Sequence, residues 1–263
     1  MDRRQLWRRI RRVWVTLGLA AMVIFVGWSL VAYRASAEAR LAIRSDSTLA
    51  VSYADGIWTF APRRPASAGI PALVFLPGAL VDPVAYAPLL RAVAIAGFPA
   101  FLVELPRRGA FGGTESPVLD QRFARLLAAS STPRHWMIAG HSRGAVVASA
   151  LAAERRTGFA GLVLIGSSHP RDIDLSGLSL PVTKIVGTRD GLASRAEVES
   201  NRAKLPTATH WVWVEGGNHS QFGWYGFQPG DRRATIEAAV QRAMMIEAFI
   251  AALGLARVPT PDA

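Results

Sequence analysis

A mostly apolar run, HWMIA at 135–139, breaks into Gly140-His141-Ser142-Arg143-Gly144 and passes at once into an alanine-rich stretch, 145–154. A short apolar run stopped by glycine reads as a buried strand, and alanine is the strongest helix former. Strand, tight turn and helix in that order make the unit from which parallel sheets are assembled. Glycines on both sides of the turn let the returning helix lie close to the strand.

The rest of the chain repeats this theme. ALVFL at 72–76, PAFLVEL at 99–105, GLVLI at 161–165, VTKIV at 182–186 and HWVWVE at 210–215 are apolar runs of strand length. Amphipathic stretches lie between and after them: around 88–96 with Gly97 as a C-cap, at 195–205, and at 234–253. The runs at 49–53 and 57–60 flank Ala54-Asp55-Gly56, a hairpin signal that predicts an antiparallel edge. The expected fold class is α/β: a mostly parallel sheet of about eight strands with helices on both faces, occupying 48–255. Only 16 residues connect GLVLI to VTKIV, too few for a large helical cap, so the site is expected to be open. The tail 256–263, with Pro259 and Pro261, is expected to be flexible. No internal repeat is present.

At the N-terminus, residues 13–33 carry no charge over 21 positions. About 20 apolar residues suffice for a helix to cross the roughly 30 Å of a bilayer core. Six arginines against one aspartate in the basic segment 1–12 predict a cytoplasmic N-terminus and an extracytoplasmic α/β domain in a single-pass membrane protein. Ala35-Ser36-Ala37 keeps a signal peptide open as the alternative, which would make the protein secreted, although the apolar run exceeds the usual ~7–15 residues. Residues 34–47 read as a charged tether. The N-terminal segment supplies +5 of the net +11, and the remainder forms no basic stripe interleaved with aromatics, so nucleic acid is not an expected partner. The absence of cysteine excludes a disulfide framework, a thiolate nucleophile and a cysteine-ligated metal. No metal and no cofactor is expected.

Gly140-His141-Ser142-Arg143-Gly144 fits G-x-S-x-G, in which a serine sits on a strained strand-to-helix turn with its hydroxyl exposed. The pattern alone arises by chance in roughly one chain in ten of this length, so the strand before it and the helix after it carry the weight. A serine alkoxide attacks acyl carbonyls and leaves a hydrolysable ester, but it needs a base and an orienting acid. In this architecture they follow in the order serine, acid, histidine. His219, in the glycine-rich Glu215-Gly216-Gly217-Asn218-His219, is the candidate base; His210 reads as a strand residue. Asp190 follows the VTKIV run and is the candidate acid, with Asp172 and Asp174 as runners-up. His141 reads as a packed elbow side chain, and His135 and His169 receive no role. The backbone N–H groups of Arg143 and of Ala79, in Pro77-Gly78-Ala79-Leu80, are candidate oxyanion donors. Phe222, Trp224, Tyr225 and Phe227 follow His219 closely and either line an acyl pocket or pack internally.

LVFLPGALVDPVAYAPLL, GHSRGA, KIVGTRDGLAS and VEGGNHSQFGWYGFQPGD together resemble the α/β-hydrolase superfamily, and within it the branch called alpha/beta hydrolase fold-5, over about 49–253. The resemblance implies a triad of Ser142, Asp190 and His219, with Ala79 and Arg143 as oxyanion donors. Pro77 stands where many relatives carry a histidine. The branch is similar in shape to dienelactone hydrolases, whose nucleophile is a cysteine that this chain lacks. The expected activity is hydrolysis of a carboxylic ester of a small-molecule acyl substrate. A thioesterase, amidase or acyltransferase using the same residues, and a non-catalytic binding protein on the same scaffold, are the alternatives; the oligomeric state is not legible.

Overall fold

Alternation along the strands decides the layers. The computed structural model describes residues 3–64, 69–110, 116–128, 135–154 and 158–256. Leu73, Phe75, Met137, Ala139, Val163 and Ile165 face one core, and Ala72, Val74, Leu76, Ile138, Leu162 and Leu164 face the other. Such two-sided burial is what a parallel sheet covered on both faces requires.

Eight strands run in the order β1-β2-β4-β3-β5-β6-β7-β8. β1 (Leu49–Ala54) and β2 (Ile57–Pro62) form the expected antiparallel hairpin, and β2 pairs antiparallel to β4 (Ala100–Val103). β3 (Ala72–Leu76), β5 (Trp136–His141), β6 (Gly161–Ile165), β7 (Val182–Gly187) and β8 (His210–Val214) continue in parallel. The chain leaves β3 toward β4 and then returns across β3 to β5. Connections diverging in this way open a crevice at the carboxyl ends of the strands.

The helices, in chain order, are α1 (Arg3–Ala32), α2 (Ala37–Ala42), α3 (Ala87–Ile95), α4 (Pro117–Ala128), α5 (Arg143–Glu154), α6 (Arg195–Ser200) and α7 (Ala238–Leu255). Buried residues of α2, α3 and α7 join the first core, and those of α4 and α5 the second. α4 had no counterpart in the sequence reading, although its buried positions Leu119, Phe123 and Leu126 follow the i, i+4, i+7 spacing of an amphipathic helix. The helix expected over 195–205 breaks after Ser200 into a separate 3-10 turn, Arg202–Lys204. Between β6 and β7 there is no helical insertion.

α1 and α7 are each long and apolar enough to cross a bilayer, with mean hydropathy 2.2 and 1.5. α7 is a core helix, burying Met245, Phe249 and Leu253 against the sheet. α1 is apolar and almost wholly exposed, and at 1.5 Å per residue it is about 45 Å long. Residues 34–47, expected as a tether, are built into the domain instead. Ser36 caps α2 by accepting from the Ala39 N–H, and Tyr33, Ala35, Ala39 and Ala42 are buried in the first core. The small side chains of ALA-type positions let this segment lie flat on the domain, which a count of charges did not foresee. Residues 257–263 of the expected tail lie outside the described residues.

Candidate active site

β5 ends at His141 and α5 begins at Arg143, leaving one residue to make the turn. That residue, Ser142, has φ +52°, a left-handed backbone that costs a non-glycine residue about 1–2 kcal/mol. Its N–H donates to the Ile165 carbonyl at 2.9 Å, and its carbonyl accepts from Ala145 at 3.0 Å, so both neighbours hold the strained turn. A Cβ on Gly140 would lie 2.2 Å from the Gly144 carbonyl carbon, and one on Gly144 would lie 2.0 Å from the Leu76 oxygen. Both glycines are therefore demanded by close packing of the turn on β3 and on its own helix.

Asp190 lies three residues beyond β7 and His219 five beyond β8; both are buried. Asp190 Oδ2 accepts from His219 Nδ1 at 2.9 Å, while Oδ1 accepts from the Leu192 and Ala193 N–H groups at 2.8 and 2.7 Å. A carboxylate acceptor assigns the proton to Nδ1, so His219 Nε2 presents a lone pair. Nε2 is buried and has no hydrogen-bond partner among the described residues. The His219 ring stands 4.5 Å, centroid to centroid, from the ring of His141, the residue before Ser142. Gly166 fits between them, where a Cβ would meet His141 Nε2 at 2.9 Å and His219 Nδ1 at 3.3 Å. Asp190 and His219 are thus paired at the carboxyl end of the sheet, where the Ser142 turn also lies, with no hydrogen bond joining His219 Nε2 to Ser142.

The runners-up do not share this place. Asp172 and Asp174 are exposed in the β6–β7 connection, and Asp174 accepts from the Ser176 N–H. His210 and His135 are exposed at strand starts, and His169 is half-buried, with its imidazole held down to about 4 by burial and by nearby Arg171 and Lys184. His141 is the packed residue expected: it is fully buried, and burial together with the charge of His219 holds it well below the ordinary histidine range. It therefore stays neutral and does not compete with His219 for a proton.

The β3–α3 loop closes the crevice from the other side. The Gly78 N–H donates to the Tyr86 hydroxyl at 3.2 Å, and that hydroxyl lies 2.7 Å from His141 Nδ1. Leu80, at φ +62°, donates its N–H to the Arg108 carbonyl at 2.8 Å. Between these two braces the Ala79 N–H makes no hydrogen bond among the described residues. Arg143 supplies the first N–H of α5, at the positive end of the helix dipole.

Several residues that shape the site escaped the sequence reading. Asp231 joins the loops of Asp190 and His219: Oδ1 accepts from the Gly191 and His219 N–H groups at 3.0 and 3.3 Å, and Oδ2 from the Ser220 N–H and hydroxyl at 2.8 and 2.6 Å. Buried Gln241 on α7 accepts from the Asn218 N–H and donates to its carbonyl. Tyr86 gave no signal, because its partners lie 8 and 55 residues away in sequence. Lys184 was visible as a lone charge inside an apolar strand. It is fully buried, with Nζ donating to the His169 carbonyl at 2.5 Å, and burial pushes its ammonium down to about 7. Of the four aromatic residues after His219, Phe222 and Trp224 are core residues, Tyr225 packs between Tyr33 and Tyr86, and Phe227 is exposed. Among the described residues no three of His, Asp and Glu converge to hold a metal ion.

An open parallel sheet with a serine on a strained turn after β5, and an Asp–His pair after the last two strands, defines an α/β hydrolase. The chain belongs to the alpha/beta hydrolase family, whose fold-5 profile matches residues 72–243. Its fold is similar to that of an esterase from Mycobacterium tuberculosis (18% identity over 82% of this chain and 95% of that one, TM-score 0.54). It is also similar to a lidless α/β serine hydrolase from Xanthomonas campestris (14% identity, 82% and 99% covered, TM-score 0.53). A bacterial membrane phospholipase A matches over 92% of this chain and 99% of its own length, at 16% identity and TM-score 0.51. At these identities the likeness is one of fold. No curated protein matches the sequence significantly.

Proposed function

We propose that the protein is a serine hydrolase that cleaves a carboxylic ester through an acyl-enzyme. The observation that carries this reading is the poise of His219: Nδ1 is bound to Asp190, and Nε2 is buried without a partner beside the Ser142 turn. In the first half-reaction Ser142 Oγ attacks the ester carbonyl as its proton passes to His219 Nε2. The tetrahedral oxyanion accepts hydrogen bonds from the Ala79 and Arg143 N–H groups. The C–O bond to the alcohol breaks, and the leaving alkoxide takes the proton from Nε2. Water then attacks the acyl-Ser142 ester, giving its proton to Nε2, and the acid departs as Ser142 recovers its proton. Asp190 holds the tautomer and stabilises the imidazolium in both halves.

The esterases and the phospholipase among the structural neighbours agree with acyl-ester chemistry. The same reading makes α1 a retained, single-pass anchor with the catalytic domain outside the cytoplasm. Retention is supported by the length of the apolar run, 21 residues against the usual ~7–15 of a signal peptide. The test is fluorophosphonate labelling of the full-length, detergent-solubilised protein, with turnover of p-nitrophenyl esters of graded chain length. Labelling and turnover lost in Ser142→Ala and His219→Ala support the assignment. A folded protein that neither labels nor turns over overturns it, and acyl transfer to an added alcohol at the expense of hydrolysis makes it an acyltransferase.

A further inference from the structure

The end of α1 is fastened to the two loops that carry the site. The Asp82 N–H donates to the Tyr33 carbonyl at 2.9 Å, and Asp82 Oδ2 accepts from the Ala35 N–H at 3.2 Å. Asp82 lies three residues beyond Ala79. On the other side, the Ser36 N–H donates to the Trp224 carbonyl at 2.8 Å and the Gly226 N–H to the Ala32 carbonyl at 3.0 Å. A Cβ on Gly226 would lie 2.5 Å from that Ala32 oxygen, so the helix end and the loop after His219 are in direct contact.

A chain of rings runs inward from this junction. Trp28 meets Tyr33 at 5.8 Å, Tyr33 meets Tyr225 at 6.0 Å, and Tyr225 meets Tyr86 at 6.3 Å. Tyr86 meets His141 at 5.8 Å, and His141 meets His219 at 4.5 Å. Tyr33 closes the 21-residue apolar run, and Trp28, 44% exposed, sits one turn before the end of α1, where aromatic residues mark a membrane interface. The catalytic histidine is therefore four ring-to-ring steps from the boundary of the membrane span. Two exposed apolar residues, Phe227 at 48% and Leu192 at 38%, stand at this edge on the base and acid loops, and no insertion between β6 and β7 covers it.

We propose that this edge of the sheet faces the bilayer that holds α1, and that the ester cleaved is an acyl ester of a lipid in the adjoining leaflet. The substrate class rests on the serine-hydrolase reading above, and the orientation on the retained anchor alone. A flexible tether would leave the mouth free to point anywhere, whereas four backbone and side-chain hydrogen bonds at 32–36 fix it. The ester carbonyls of bilayer lipids lie between headgroup and hydrocarbon, at the depth where interfacial aromatic side chains sit. Confining enzyme and lipid to one surface also raises their effective concentration without any new contact.

The sequence has no cysteine, so single-cysteine variants of the full chain can be labelled uniquely. Phe227→Cys, Leu192→Cys and Ile95→Cys are labelled with an environment-sensitive fluorophore and reconstituted into phosphatidylcholine–phosphatidylglycerol vesicles with lipids bearing shallow doxyl quenchers. Ile95, 61% exposed at the end of α3, marks the opposite edge of the sheet. Quenching several-fold stronger at 192 and 227 than at 95 is expected, together with wild-type turnover of a fluorogenic acyl lipid that follows its mole fraction in the bilayer. Equal quenching at all three positions overturns the orientation. Turnover of soluble p-nitrophenyl butyrate without turnover of the bilayer lipid overturns the substrate class while the serine hydrolase stands. Failure of fluorophosphonate to label Ser142 in these vesicles removes the hydrolase reading and the lipid substrate with it, while the quenching still decides the orientation.

Discussion

The turn that carries Ser142 and the loop that carries His219 reach the same point by opposite means. The turn is held by volume: Gly140 and Gly144 leave no room for a methyl group, and Ser142 is forced to positive φ by a strand and a helix that meet across one residue. The base loop is held by polar satisfaction, with Asp231, Gln241 and Asn218 answering buried N–H and C=O groups that no strand pairs. Steric devices are local in sequence and leave a pattern. Hydrogen-bond devices draw on residues from distant segments and leave almost none.

This contrast can be broken by experiment. The largest effect is expected from Ser142→Ala, which lowers kcat by about 10⁴-fold or more and leaves the fold intact by circular dichroism. Retained turnover would remove Ser142 from the chemistry. Gly144→Ala puts a methyl group onto the Leu76 carbonyl and is expected to destabilise by about 4 kcal/mol or more, seen as loss of a cooperative melting transition. A stable Gly144→Ala protein would mean that the turn is not volume-limited. Asp231→Ala should cost less, about 1–3 kcal/mol in total, because water can reach the part-exposed site and answer some of the N–H groups of Gly191, His219 and Ser220, and it should lower kcat more than it raises KM if His219 is the base that loses its placement. Unchanged stability and kcat would dissolve the polar clamp.

Lys184 offers a pH test of the same sheet end. Its usual value of 10.5 is held down to about 7 by burial, with the nearby Asp190 charge opposing that shift. Between those values the unfolded chain binds more protons than the folded one, so stability rises with pH across about 7 to 10.5 and is lost as pH falls through that window. Lys184→Met is expected to flatten this slope in denaturant titrations at several pH values. A slope equal to that of the native protein would assign the pH dependence to other groups. The smallest effect compares two inactive proteins: Ser142→Gly should be more stable than Ser142→Ala by about 1 kcal/mol, because only glycine accepts φ +52° without strain. Equal stabilities would show that the turn relaxes when the hydroxyl is gone.

The strands, their direction and the turn were legible because each rests on a short-range rule. Apolar runs such as ALVFL and GLVLI have no other way to be buried than in a sheet covered on both faces, and Gly140-His141-Ser142-Arg143-Gly144 has few other uses between a strand and a helix. Asp190 and His219 could be singled out as candidates because each follows a strand and the order of the three groups is characteristic of the architecture, and the structure pairs the two. The tether at 34–47 was misjudged for the complementary reason. Its fate depends on Asp82 and Trp224, which only the folded chain brings to it.

By itself, then, the sequence determined the sheet, the strained serine turn and an apolar helix long enough to cross a bilayer, since each follows from periodicity, glycine sterics or length. Only the tertiary structure decided that Asp231 clamps the Asp190 and His219 loops together, that Tyr86 braces Gly78 against His141, and that α1 ends against the loops of Asp82 and of Trp224. These are contacts between segments far apart in the chain, and their energy exists only once the sheet has brought the loops to one edge.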